Sequence, residues 1–184
     1  EQKMVISYDN LITRLWLGGA IEPFIPPDAE TLLSEEGLPP IPHDYWVHRV
    51  GFQQPDPVTD FRSGGVLSLA SLVHIVESCP QVHARFTTGD AKVLPFGITS
   101  INVTDMMANF LMLVKKVDRM DALLSQKPFW KMFADPYALL TCHELAMDML
   151  ADVVVELYET RKLTNLEAKV TVFDFSWILE QTTF

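Results

Sequence analysis

Little in this 184-residue chain speaks for staples, cradles or a phosphate-binding surface of its own. It has two cysteines, Cys79 and Cys142, too few for a disulfide framework and without C-x-x-C spacing. Reduced, buried thiols are therefore expected, which favours a cytoplasmic setting, peripheral to membranes or cytoskeletal structures only through partners. Basic residues are scarce, 14 Lys and Arg against 24 Asp and Glu, giving a formal net charge of -10. Such a surface repels phosphate backbones and anionic lipid, so no nucleic-acid partner is expected and a basic or neutral protein is favoured. Apolar residues reach 48%, yet no uninterrupted apolar run approaches the roughly 18 residues that a membrane span needs, so the chain is not expected to be transmembrane. Gly64-Gly65 is followed by no Gly-Lys-Ser/Thr and no third glycine, which argues against nucleotide binding by the chain alone.

Metal patterns fail on inspection, and neither a metal nor a cofactor is expected. His143-Glu144 begins the zinc motif H-E-x-x-H, but Met147 stands where the second histidine belongs. Glu144, Asp148, Asp152 and Glu156 recur every four residues on one helix face, without the Glu-x-x-His pairs of a dimetal bundle. A solvated acidic face is the expected reading. His43 and His48 have no ligand-type neighbours at metal spacing and read as loop or core histidines. Asn102-Val103-Thr104 matches the glycosylation sequon in an apolar helical context, where chance is the expected explanation. The chain opens at Glu1 with no signal pattern, as expected of a part of something longer.

What the chain does have is helical periodicity, and the size prior gives one domain with a large core. Apolar spacing predicts a helix over Met4–Leu17, ended by Gly18-Gly19. Six prolines between Pro23 and Pro42 predict an extended connector carrying a helical turn or two over Asp28–Glu35. Further helices are predicted over Val66–Cys79, Pro95–Val117, a short aromatic piece from Pro128, and Pro136–Arg161. The Pro95–Val117 segment is expected to be the central core helix, with Ile98, Ile101, Met106, Phe110, Leu113 and Val117 inward.

Between two apolar segments lies Val50 to Gly65, VGFQQPDPVTDFRSGG. Pro55 and Pro57 fix two φ angles and disfavour helix before them, so a stiff turn is expected. Thr59 and Asp60 are helix-capping types, and Gly64 and Gly65 permit a positive φ or close backbone approach. The turn can hold the guanidinium of Arg62 at a fixed place near the surface. From chemistry alone, a structural Arg62 paired with Asp60, Asp56 or a carbonyl is the commoner case. Trp46, Phe52 and Phe61 admit two readings, core supports or binding anchors, with core favoured.

This stretch resembles the signature of the ELMO domain, the domain of the engulfment and cell-motility proteins and of smaller ELMO-domain-containing proteins. The pattern W-x-x-x-I/V-G-F-Q-x-x-x-P-x-T-D-F/L-R-G-x-G-x-L-G-L is met by Trp46, Val50, Gly51, Phe52, Gln53, Pro57, Thr59, Asp60, Phe61, Arg62, Gly65, Leu67 and Leu69. It departs at Ser63 and Ser68, where the family has glycine. LPFGITSINVTDM and LYETRKLTN with Trp177 resemble the family's later segments, so the likeness covers about residues 46 to 180. It implies a compact, wholly helical (all-α) ELMO domain over 46–184, with residues 1–45 forming an N-terminal helix and Pro-rich connector packed on it.

In the smaller family members the arginine of this motif acts in GTPase activation toward Arf and Arf-like proteins. The larger engulfment proteins lack it and serve as adaptors. The resemblance thus implies an Arf-family small GTPase as partner and Arg62 as the catalytic residue. Gln53, Asp56 and Asp60 become candidate GTPase-binding residues, and Gln53 has a turn-capping alternative. Trp46, Gly51, Phe52, Pro57, Thr59, Phe61 and Gly65 become supports of the motif. The alternative is a non-catalytic adaptor or scaffold subunit of a larger protein assembly.

Overall fold

The computed structural model describes residues 7–18, 29–111, 113, 131–132, 134–164 and 170–182. Six α-helices lie among them: α1 (Tyr8–Gly18), α2 (Gly65–Ser78), α3 (Pro80–Thr87), α4 (Phe96–Phe110), α5 (Ala138–Leu163) and α6 (Phe175–Thr182). No strand occurs among the described residues. The fold is a compact all-α one.

Helix α2 occupies the middle. Ser68, Leu69, Ser71, Leu72, Val73, Ile75 and Val76 are buried on several of its sides, and α1, α3, α4 and α5 all pack against it. A helix apolar nearly all round has to be covered on every side. Proline supplies the sharp exit: α2 stops at Ser78, and Pro80 opens α3 after a bend of 102°.

The central place expected of Pro95–Val117 thus belongs to α2, and α4 ends at Phe110. The inward face of α4 is also different from the expected one. Phe96, Thr99, Ser100, Ile101, Val103, Thr104 and Ala108 are buried, whereas Phe110 and Leu113 are half exposed. The small residues face the core because α2 and α5 come close there. The Thr104 hydroxyl donates to the Ser100 carbonyl one turn back, and the Ser100 hydroxyl meets His143 Nε2 at 3.1 Å. Large apolar side chains were a misleading guide to a face built from hydroxyls and alanine. Asn102 donates to the Ile98 carbonyl and Thr104 is 2% exposed, so the sequon is folded into a packed helix.

Helix α1 is anchored by Leu11, Ile12, Leu15 and Trp16, and the Trp16 Nε1 donates to the Ala29 carbonyl. That bond ties the Pro-rich connector onto the core. Between residues 29 and 37 the chain forms turns, with Ser34 engaged at both ends: its hydroxyl accepts from Leu38 N, and its carbonyl accepts from Gly37 N. Serine competing for backbone groups favours turn over helix. The start of the Met4 helix, Pro23, Pro26, Pro27, Val117, Pro128, Phe129, Trp130 and Phe133 lie outside the described residues.

The acidic stripe of α5 is exposed, with the Asp148 and Asp152 side chains at 50% and 71%, and it also makes contacts to other helices. Arg85 of α3 reaches Asp148 and Asp152, both at 2.8 Å, and Asp90 at 3.1 Å. Glu144 faces His74 of α2. The solvated stripe thus also serves to tie α3 to α5, with Arg85 drawing Asp148 and Asp152 toward Asp90.

Candidate functional site

The path from Trp46 to α2 is built as a series of anchors. Trp46 begins a five-residue π-helical turn, Trp46–Val50, and is wholly buried, with Nε1 donating to the Pro40 carbonyl. Gly51 closes the turn with φ +85, a left-handed value that suits glycine. Its backbone also lies so close to Pro95 and Phe96 that a Cβ would meet them at 3.0 Å. The Gly51 carbonyl accepts from Ile98 N, which fixes the loop to the first turn of α4.

Phe52, Pro57 and Phe61 then point inward. Ring contacts run from Trp16 to Trp46 at 5.3 Å, Trp46 to Phe52 at 6.2 Å, Phe52 to Phe61 at 5.4 Å and Phe61 to Tyr8 at 6.3 Å. This aromatic row joins α1, the π-turn and the arginine loop. Trp46, Phe52 and Phe61 are at most 8% exposed, so they support the loop from within and are not surface anchors. Burial, first, and the nearby Asp56 and Asp9 push the Tyr8 hydroxyl up to about 12.

Residues Pro57–Arg62 form a 3₁₀ turn. Its cap is Asp56, whose Oδ1 accepts from Val58 N at 3.0 Å. Thr59 and Asp60, expected as caps, lie inside the turn because Pro57 starts it earlier. The Thr59 hydroxyl donates to the Asp56 carbonyl, and Asp60 Oδ1 accepts from Gln53 N at 3.2 Å. Asp56 and Asp60 thus each hold the loop's own backbone. The Gln53 side chain is exposed.

Arg62 follows the buried Phe61 and is exposed. Among the described residues it has no hydrogen-bond or ion-pair partner. The pairing with Asp60 or Asp56 that a structural arginine would show is not formed. Beyond it Ser63 is extended, and its hydroxyl donates to Asp105 of α4. Gly64 turns back with φ +73, Gly65 continues at φ +52, and α2 begins. With the backbone on either side of it fixed by the buried Phe61 and the Ser63–Asp105 bond, Arg62 can offer its donor fork to an anion brought from outside.

Two features escaped sequence reading. Val58 and Val66, four residues before and after Arg62 in sequence, are 51% and 50% exposed and add apolar surface to the same segment. Their spacing carries no signal, since one lies in a 3₁₀ turn and the other in α2. Surface grooves of about 640 Å³, lined by Asp90, Val93, Tyr158 and Val170, and about 470 Å³, lined by Tyr8, Ile12, Leu38 and Ile41, lie elsewhere, and Arg62 lines neither.

The other candidates sit apart from this loop. His143 is 1% exposed, and burial lowers its pKa to about 4, so the H-E-x-x-M segment packs its histidine against Ser100 in the core. His43 accepts from Tyr45 N beside Trp16, and His48 is exposed.

Comparison with known proteins agrees with this motif. The model of the ELMO/CED-12 family matches residues 30–176. The chain is 32% identical over 120 residues to ELMO domain-containing protein B of Dictyostelium discoideum, across 60% of this chain and 37% of that protein. It spans little more than a third of the length of this relative. No solved structure matches it significantly. With most of its length matched by the family model, and with the signature folded into one anchored loop, the chain belongs to the ELMO/CED-12 family.

Proposed function

We propose that this domain is a GTPase-activating protein for an Arf or Arf-like small GTPase, and that Arg62 is the residue it inserts. The observation that carries the reading is the exposed guanidinium, without a partner among the described residues, on a braced turn whose neighbouring acids bind backbone. In phosphoryl transfer, negative charge is spread over the phosphate oxygens at the transition state. A planar, permanently charged fork offsets that charge, and such arginines are worth about 10³ to 10⁵ in rate.

The partner supplies nucleotide, metal and attacking water, while this domain supplies the arginine and a surface that positions it. Val58 and Val66 give that surface its apolar part, and the exposed Gln53 contributes a polar side chain to it. Asp56 and Asp60 act indirectly, by holding the shape of the turn. The setting is cytoplasmic, with membranes reached through the GTPase.

The test is GTP turnover by a panel of Arf and Arf-like GTPases on vesicles, with and without the purified domain. Acceleration of one or more members is expected. Failure across the panel, together with a stable salt-resistant complex with another protein, would favour the scaffold reading.

A further inference from the structure

His74 and Cys79 come from the end of α2 and the elbow before α3, while Glu144 comes from α5, 65 residues further on. Their donor atoms lie within 4.8 Å of one another. Cys79 Sγ is 3.6 Å from His74 Nε2, and Glu144 Oε2 is 3.7 Å from the same nitrogen. We propose that His74, Cys79 and Glu144 form a binding site for a divalent zinc-type ion.

Geometry carries this assignment. With zinc bonds of about 2.3 Å to sulfur and about 2.0 to 2.2 Å to nitrogen and oxygen, a tetrahedral ion sets its sulfur and nitrogen ligands about 3.6 Å apart and its nitrogen and oxygen ligands about 3.4 Å apart. The observed separations are close to both. A proton-relay triad would place the thiol on one ring nitrogen and the carboxylate on the other. Here both face Nε2, which carries at most one proton, so the three groups do not form a relay chain, and their donor atoms all lie within 4.8 Å of one another. The mixed set of sulfur, nitrogen and oxygen selects a borderline-soft ion over magnesium or calcium, which prefer oxygen alone.

Cys79 is 2% exposed, whereas the side chains of His74 and Glu144 are 19% and 30% exposed. The site therefore has a buried thiol at its base and an open rim, leaving the fourth position to solvent. It runs against the absence of metal expected from sequence, because no local spacing announces it. Helix α2 separates it from Arg62 by roughly 20 Å, the length of 14 residues of α-helix, so its effect is on the fold and not on phosphoryl transfer. An ion here pins the α2–α3 elbow to α5.

The experiment uses the purified, reduced, chelator-treated protein titrated with Co²⁺ and then Zn²⁺. One equivalent of Co²⁺ should bind with a thiolate charge-transfer band in the near ultraviolet and tetrahedral ligand-field bands, and Zn²⁺ should displace it. Cys79→Ser should lose the charge-transfer band and Cys142→Ser should keep it. Glu144→Gln, at a partly exposed position, keeps the test valid if the cysteine variant folds poorly. It should weaken Zn²⁺ binding at least tenfold, by the scale on which even outer residues matter at metal sites, and reduce the rise in melting temperature on Zn²⁺ addition. A missing thiolate band, a band that persists in Cys79→Ser, or unchanged affinity in Glu144→Gln overturns the proposal.

Discussion

The Ser68 hydroxyl donates to the Ser63 carbonyl at 3.2 Å, so the two positions where this chain departs from the family's glycines are joined to each other. Ser63 in turn binds Asp105 through its own hydroxyl. Ser68 is wholly buried at the start of α2. The departures act as one brace behind Arg62, linking the loop, α2 and α4.

Breaking that brace has a measurable cost. Ser68→Ala leaves the Ser63 carbonyl without its side-chain donor and should lower unfolding free energy by about 1 kcal/mol, read from urea denaturation. Ser63→Gly, which removes the bond to Asp105, should cost a similar amount. Full stability in both variants would show that the brace contributes nothing.

Gly64 sits inside the same brace. A Cβ there would lie 2.1 Å from Ser68 Oγ, and its φ of +73 is costly for any other residue. Gly64→Ala should therefore destabilise by about 1 to 3 kcal/mol. In a double-mutant cycle with Ser68→Gly, the double variant should lose less than the sum of the two single losses, by the part due to the collision. Strict additivity would contradict the steric account.

Helices α1, α2, α4 and α5, the ordered turn and the inward aromatic supports were legible from periodicity, proline and residue type, whereas the shorter α3 and α6 were not predicted. The loop's wiring was not. Capping by Asp56 instead of Thr59 or Asp60 depends on where the 3₁₀ turn starts, and the Ser63–Asp105 bond spans 42 residues. The inward face of α4 was misread because close helix approach selects Ser100, Thr104 and Ala108 over larger apolar residues. The arginine's motif was plain in sequence, whereas its lack of a partner among the described residues needed coordinates.

His83 gives the fold an acid sensitivity. It is 5% exposed against Phe96, and burial lowers its pKa from 6.5 to about 4. The unfolded chain binds this proton more readily, so the contribution is full above about pH 6.5 and is lost as pH falls toward 4, by up to about 3 kcal/mol. Below 4 it changes no further. His83→Phe should flatten that part of a stability-against-pH curve; an unchanged slope between pH 6.5 and 4 would contradict the assignment.

Val58 and Val66 are half exposed, so Val58→Asp or Val66→Asp should leave the melting temperature nearly unchanged. Each should raise the concentration of domain needed for half-maximal activation by roughly tenfold, as expected when an interface contact worth over 1 kcal/mol is lost. A lower maximal rate at unchanged half-saturation would instead place them beside the chemistry.

The central claim rests on Arg62, and the most direct measurement pairs single-turnover GTP hydrolysis with thermal unfolding for Arg62→Lys and Arg62→Ala. An exposed residue without partners among the described residues should change unfolding free energy by no more than about 0.5 kcal/mol, while both substitutions remove most of an acceleration on the order of 10³ or more. Retained acceleration in Arg62→Ala, or loss of activity in step with loss of stability, would contradict the account.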